Sequence, residues 1–237
     1  MRHSNQPFAA YEWMIAWRYL RARRAEGGVS VMTWISLIGV TLAVFALIAT
    51  LAVRSGFRSE IVDTILGANA HVTVYQIPVA DDFGRLDRTI HNYSEMANAI
   101  GKVEGVNRAA PLIKGQVMAS FGGQNAGVQV YGISASDLMT LPRIAKPEDF
   151  IGDIGDFEQG IAIGSGVARI LNVTLGDKIK LISPEGVKTA FGTSPRVKSY
   201  TISYIFTAGR YDIDKTRLYM PFAEAQNYFN REGVADE

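Results

Sequence analysis

Between Gly27 and Val53 the sequence runs for 27 residues without a single charged side chain. A helix crosses about 30 Å of hydrocarbon with roughly 20 apolar residues, and the stretch from Val29 to Val53 supplies them. A buried core helix of that length is hard to house in a chain of 237 residues. A signal peptide has a shorter apolar region, placed nearer the N-terminus. The run predicts a transmembrane helix.

The flanks set its orientation. Arg18, Arg21, Arg23 and Arg24 precede the run, opposed only by Glu12 and Glu26, while Arg54 and Arg58 follow it. The excess of arginine on the N-terminal side predicts a cytoplasmic N-terminus, with residues 67–237 in the periplasm. Charge divides the same way: residues 1–58 carry seven Arg, no Lys and two Glu, and the rest of the chain is net negative. The overall charge of +1 gives no bulk argument for a nucleic-acid partner. Before the span, Phe8, Tyr11, Ile15 and Tyr19 form one apolar stripe at helical spacing. Trp13, Trp17 and Leu20 form a second, on the opposite side. Two stripes predict an interfacial helix that touches both headgroups and protein. Gly39, Ala43, Ala46, Ala49 and Ala52 would let another helix approach, although small residues are common in membrane helices anyway.

After the span, Phe57, Ile61 and Ile65 keep a helical spacing, so the membrane helix is expected to continue as a stalk ended by Gly67. The organisation expected is a cytoplasmic, interfacial helix over 1–26, the span and stalk over 27–66, and a periplasmic domain over 67–237. His71–Tyr75 alternates like a strand. Tyr93–Ile100 reads as a helix with Ser94 near its N-cap. Gln116–Phe121 and Val128–Ile133 read as strands of a hairpin turning through residues 122–125. Residues 142–158, rich in Pro, Gly and Asp, read as a loop. Gly160–Gly164 reads as a short buried strand, with Ser165 capping a helix to Leu171. Lys178–Ile182, Val197–Phe206 and Arg217–Met220 read as strands, and Pro221 as the first residue of a helix to Phe229. Strands and short helices in mixed order predict an α+β domain of one or two lobes, two being preferred.

Candidate chemistry is thin. With no Cys, disulfides, Cys-based zinc sites, iron–sulfur ligation and thiol catalysis are excluded. His3, His71 and His91 show no metal-ligand spacing. Gly160, Gly164 and Gly166 are not followed by the Lys-Ser/Thr of a phosphate loop. Ser165 lacks the spacing of a nucleophile elbow, and capping explains it better. Asp212 with Asp214, or Asp153 with Asp156, could be read as carboxylate pairs, but acidic loop residues are ordinarily solvated and no base stands nearby. The chain is not expected to be an enzyme.

Several motifs, taken in order, resemble one family. Residues 17–24 (WRYLRARR), 35–40 (ISLIGV) and 53–57 (VRSGF) are similar to the first membrane segment of lipoprotein-releasing ABC permeases, the LolC/LolE family. Residues 65–72 (ILGANAHV), 105–111 (GVNRAAP), 164–168 (GSGVA), 175–178 (LGDK), 211–214 (YDID) and 219–221 (YMP) continue the resemblance. Arg54 departs from it, the family more often having an uncharged residue there. The resemblance implies an inner-membrane permease with four spans and a periplasmic domain like that of macrolide-exporter permeases. It implies a second permease protomer, identical or paralogous, and an ATPase subunit that holds ATP and Mg, so no cofactor is expected in this chain. It implies acylated lipoproteins as substrate and a periplasmic carrier as recipient. By that standard the chain is an N-terminal part, incomplete at its C-terminal end. Other permeases of the same superfamily, for drug efflux or cell division, and a single-span anchored periplasmic binding module are the alternatives.

Two sets of site residues follow. Phe45, Ile48, Ala49 and Ala52 lie in the outer half of the span, where an acyl chain leaving the bilayer sideways needs an apolar path. Ser183–Tyr200 reads as a protruding loop bounded by Pro184 and Pro195, locally basic through Lys188, Arg196 and Lys198, with Phe191 as an apolar anchor. The resemblance implies that this proline-bounded hook docks the carrier.

Overall fold

The computed structural model describes residues 10–21, 27–66, 69–80, 86–147, 149–189 and 192–237. The chain forms two compact units, Met1–Arg58 and Ser59–Glu237.

In the first unit, helix α1 spans Ala10–Arg21. Helix α2, Gly27–Leu66, runs unbroken for 40 residues, so span and expected stalk share one helix, whose last turns belong to the second unit. At 1.5 Å per residue it is about 60 Å long, twice the hydrocarbon thickness. Val31–Val62 is long and apolar enough to cross a membrane. Every large apolar side chain from Val31 to Phe57 is exposed, as lipid contact requires and a water-facing helix would not tolerate. Two of its hydroxyls satisfy themselves: Thr41 Oγ1 donates to the Leu37 carbonyl and Thr50 Oγ1 to that of Ala46, each at 2.7 Å.

The second unit begins with a small ribbon of β1 (Val79–Ala80) and β2 (Leu86–Asp87), then α3 (Tyr93–Ile100). A larger sheet follows. Its strands are β3 (Ile113–Phe121), β4 (Gln124–Ile133), β5 (Asp149–Gly152), β6 (Ile161–Gly164), β7 (Lys178–Thr189), β8 (Gly192–Thr207) and β9 (Arg217–Pro221). Between and after them lie α4 (Ala135–Leu138), α5 (Pro142–Ala145), a 3₁₀ turn (Ile154–Gln159), α6 (Ser165–Leu171), α7 (Tyr211–Thr216) and α8 (Phe222–Phe229). The strand order is β5-β8-β6-β9-β4-β3-β7, and β7 pairs back onto β8. Six strands therefore close into a ring, with β5 attached outside it. The long β8 makes closure possible: residues up to Thr201 pair with β7, and those from Ile202 pair with β6 and β5.

The central strands are buried on both faces. Ile161 and Ile163 of β6 and Leu218 and Met220 of β9 enter one core with Val128, Leu171 and Tyr228. Ala162 and Tyr219 point the other way, into a second core with Leu138, Ile144, Phe157 and Phe206. That double burial is why Gly160–Gly164 reads as a continuous apolar run rather than an alternating one. The β3–β4 turn uses Gly122 and Gly123, with φ of 55° and 86°, the positive values at both positions that a two-residue type I′ hairpin turn demands.

Several expectations are corrected. Residues 73–78 take no regular structure; the His71–Tyr75 pattern is strand-like, but a strand needs a partner for its backbone groups, and no described strand pairs with it. Residues 142–158 are not a loop: they contain α5, β5 and the start of the 3₁₀ turn, with Pro142 opening α5 and Asp153 capping the turn by accepting from Gly155 N at 2.8 Å. Asn92, not Ser94, occupies the N-cap of α3. Gly164 occupies that of α6, where Ser165 is the first helical residue and its buried Oγ has no hydrogen-bond partner among the described residues. Pro221 ends β9 and N-caps α8 rather than starting it. Gly67 and the first nine residues, His3 and Phe8 among them, lie outside the described residues.

Candidate docking hairpin and membrane-facing helix

The proline-bounded segment is a β-hairpin rather than a loop. β7 and β8 stay in register from Lys178↔Thr201 to Ser183↔Arg196, break, and resume at Val187↔Ser194 through Thr189↔Gly192. Pro184 and Pro195 both fall within the break, where the ladder asks nothing of the N–H that proline lacks. Three residues there oppose one, a bulge. Gly186 is obligatory in it: a Cβ there would collide with the Ser194 carbonyl oxygen. The prolines thus mark an irregularity inside a paired ribbon, and local sequence cannot distinguish that from the ends of a loop.

At the hairpin's base, alternate residues of β8 face α8. Arg196 donates to the carbonyls of Asn227 and Tyr228, the latter at 2.9 Å, and to Asn230 Oδ1 at 2.6 Å. Lys198 Nζ and the Tyr200 hydroxyl converge on Glu224 Oε1, at 2.7 and 2.6 Å. Burial works against ionisation of Glu224, but these two hydrogen bonds outweigh it and hold its carboxyl below the usual range. Burial pushes the Tyr200 phenol up, and the adjoining Glu224 carboxylate adds to the shift. The Tyr228 phenol is raised to about 12, chiefly by burial. Pro184, Pro195 and Lys198 are exposed and Arg196 is half-buried. Lys188 pairs with Thr193 in the outer hairpin. Phe191 lies outside the described residues.

On α2, Phe45, Ile48, Ala49 and Ala52 fall at spacings of three, one and three, so they share a face. Phe45 and Ile48 are exposed, at 68% and 61%.

The remaining candidate chemistry resolves into structure. Asp214, expected in a solvated loop, is buried in α7, where its Oδ1 accepts from Ala208 N at 2.7 Å. Desolvation raises its pKa against the opposing N–H donors of Ala208 and Gly209. Asp212 is instead held by Arg210 at 2.7 Å. His91 Nε2 lies 3.2 Å from Asp87 Oδ2. Among the described residues no three His, Cys, Asp or Glu side chains gather where they could hold a metal.

Sequence reading missed a cleft of about 1280 Å³ in the second unit. Apolar side chains such as Ile90, Met96 and Leu112 line it beside Lys114 and Arg217. Lys114 pairs with Glu237. Arg217 donates to Asn69 Oδ1 at 2.9 Å and lies over the Tyr131 ring, 4.4 Å from its centroid. The lining residues are scattered from Val62 to Glu237, with no shared motif to reveal them.

Residues 33–235 match the MacB-like periplasmic core domain. The chain belongs to that family. The resemblance to LolC and LolE also holds. The chain is 31% identical over 215 residues to the lipoprotein-releasing system transmembrane protein LolC of Neisseria meningitidis, covering 88% of this chain and 48% of that protein. It is 26% identical over 236 residues to the corresponding LolE of Haemophilus influenzae, covering 94% and 51%. The chain thus spans about half the length of the curated relatives it matches. Among solved structures, the periplasmic region of MacB from Actinobacillus actinomycetemcomitans aligns with TM-score 0.40 and 13% identity, over 61% of each chain. The extracellular domain of the noncanonic ABC-type transporter YknZ from Gram-positive bacteria aligns with TM-score 0.39 and 16% identity, over 62% of this chain and 70% of that one.

Proposed function

We propose that this chain is part of a permease subunit of an ABC transporter that releases acylated lipoproteins from the inner membrane to a periplasmic carrier. The observation that carries the reading is the reach of the similarity: relatives named for lipoprotein release match along about nine-tenths of the chain, through both the lipid-facing helix and the ringed domain. In this reading a separate ATPase subunit binds ATP and Mg and supplies the energy. A second permease protomer, identical or paralogous, completes the pathway. The face of Phe45, Ile48, Ala49 and Ala52 offers acyl chains an apolar route beside the outer half of the span, the alanines leaving room and the larger side chains giving contact. The β7–β8 hairpin docks the carrier through the exposed surface around Pro184, Pro195 and Lys198.

The arginine asymmetry supports a cytoplasmic N-terminus and a periplasmic 67–237 region. Fusion of a phosphatase active only in the periplasm after Glu237 is expected to give active enzyme. Activity of a cytoplasm-only reporter at the same point would reverse the orientation and remove the hairpin from the carrier's compartment.

A further inference from the structure

Among the described residues, the outer hairpin beyond the bulge has no sheet neighbours but itself. β3 supports β7 only at Lys180, Leu181 and Ile182, and an isolated two-stranded ribbon is marginal in water. Arg196, paired with Ser183, sits where that support ends. Its guanidinium is turned onto the C-terminal end of α8, where helix carbonyls lack intrahelical donors and a cation complements the helix dipole. It meets two of them, at Asn227 and Tyr228, and the side chain of Asn230, whose left-handed backbone (φ 54°) closes the helix. The contact is reciprocal, since the Tyr228 hydroxyl donates to the Arg196 carbonyl at 3.5 Å. With Lys198 and Tyr200 holding Glu224 in the first turn of α8, one face of β8 is fixed to both ends of that helix.

We infer that Arg196 is a positioning residue: it braces the hairpin against α8 and so sets the direction in which the hairpin leaves the domain. Three of its five donors already serve α8 and its cap, so it acts on a docked partner through the hairpin's geometry rather than by touching the partner. Lysine cannot replace it, because a single ammonium lacks the planar fork that reaches three separated acceptors. The functional consequence rests on the carrier-docking reading; the brace itself does not.

Two measurements on the full chain in nanodiscs separate these claims. Amide exchange is compared for Arg196→Gln, Arg196→Lys and the milder Asn230→Gly, which deletes one acceptor but keeps the left-handed backbone. All three are expected to speed exchange at 187–189 and 192–194, by about tenfold for the arginine variants, with 161–164 unchanged. Binding kinetics are then measured with the purified periplasmic lipoprotein carrier of the same cell. A loosened hairpin is competent for a smaller fraction of time, so association slows by about tenfold in both arginine variants while dissociation stays within about twofold. Unchanged hairpin exchange overturns the brace. Wild-type carrier kinetics in Arg196→Lys, or a loss confined to the dissociation rate, overturns positioning in favour of direct contact. A wild-type chain that fails to bind the carrier counts against docking, and the exchange comparison still decides the brace.

Discussion

Asp214 shows how a side chain that sequence places in water becomes a structural element. Its carboxylate anchors the turn into α7 by accepting from Ala208 N, yet it is only 7% exposed. Burial raises its folded pKa above the unfolded value near ~3.9. The sign follows: its contribution to stability is complete below the unfolded pKa and is lost as pH rises through the folded one. Asp214→Asn keeps an oxygen to accept the same N–H and cannot ionise. The melting temperature of this variant, relative to wild type, is expected to climb as pH rises from 4 towards 8. A difference that stays flat across that range would show that Asp214 does not titrate as its burial implies. Nothing in the sequence around Tyr211–Asp214 marked one of two nearby aspartates for the core, because the amide groups that hold it, those of Ala208 and Gly209, come from a neighbouring turn.

Elements were legible where their cause is local. The charge-free run, the glycine-flanked Ile161–Ile163 strand and the Gly122–Gly123 turn each carry their reason within a few residues. Pairings that depend on distant partners were not. The Ser183–Tyr200 segment looked like a loop because prolines usually end strands, and only β8's register against β7 shows that they sit in a bulge. His71–Tyr75 has the right alternation and no described strand to join. The Arg196 brace links positions about 30 apart, beyond the reach of any spacing rule. Helix α2 is the element whose reading bears most on function. On the proposed function, photo-crosslinking residues placed at Phe45 and Ile48 of the full-length protein are expected to capture acylated lipoprotein. Capture of bulk phospholipid alone would remove this face from the substrate path and leave it as ordinary lipid contact.

At the largest scale, a helix long and apolar enough to cross a membrane continues into a domain whose ringed sheet buries apolar side chains on both faces of its central strands. Such a domain holds its shape without disulfides, consistent with the absence of cysteine, and it gives the hairpin a rigid base in β8 and α8. A binding module needs only the domain; a permease also needs the helix to take part in substrate release. The most direct measurement is therefore lipoprotein release itself. Inner-membrane vesicles carrying the full-length protein with its ATPase subunit, an acylated lipoprotein and purified periplasmic carrier are supplied with ATP. ATP-dependent transfer of the lipoprotein from membrane to carrier, abolished when the full-length protein is omitted, is the result predicted. Equal transfer with and without the protein would contradict the account.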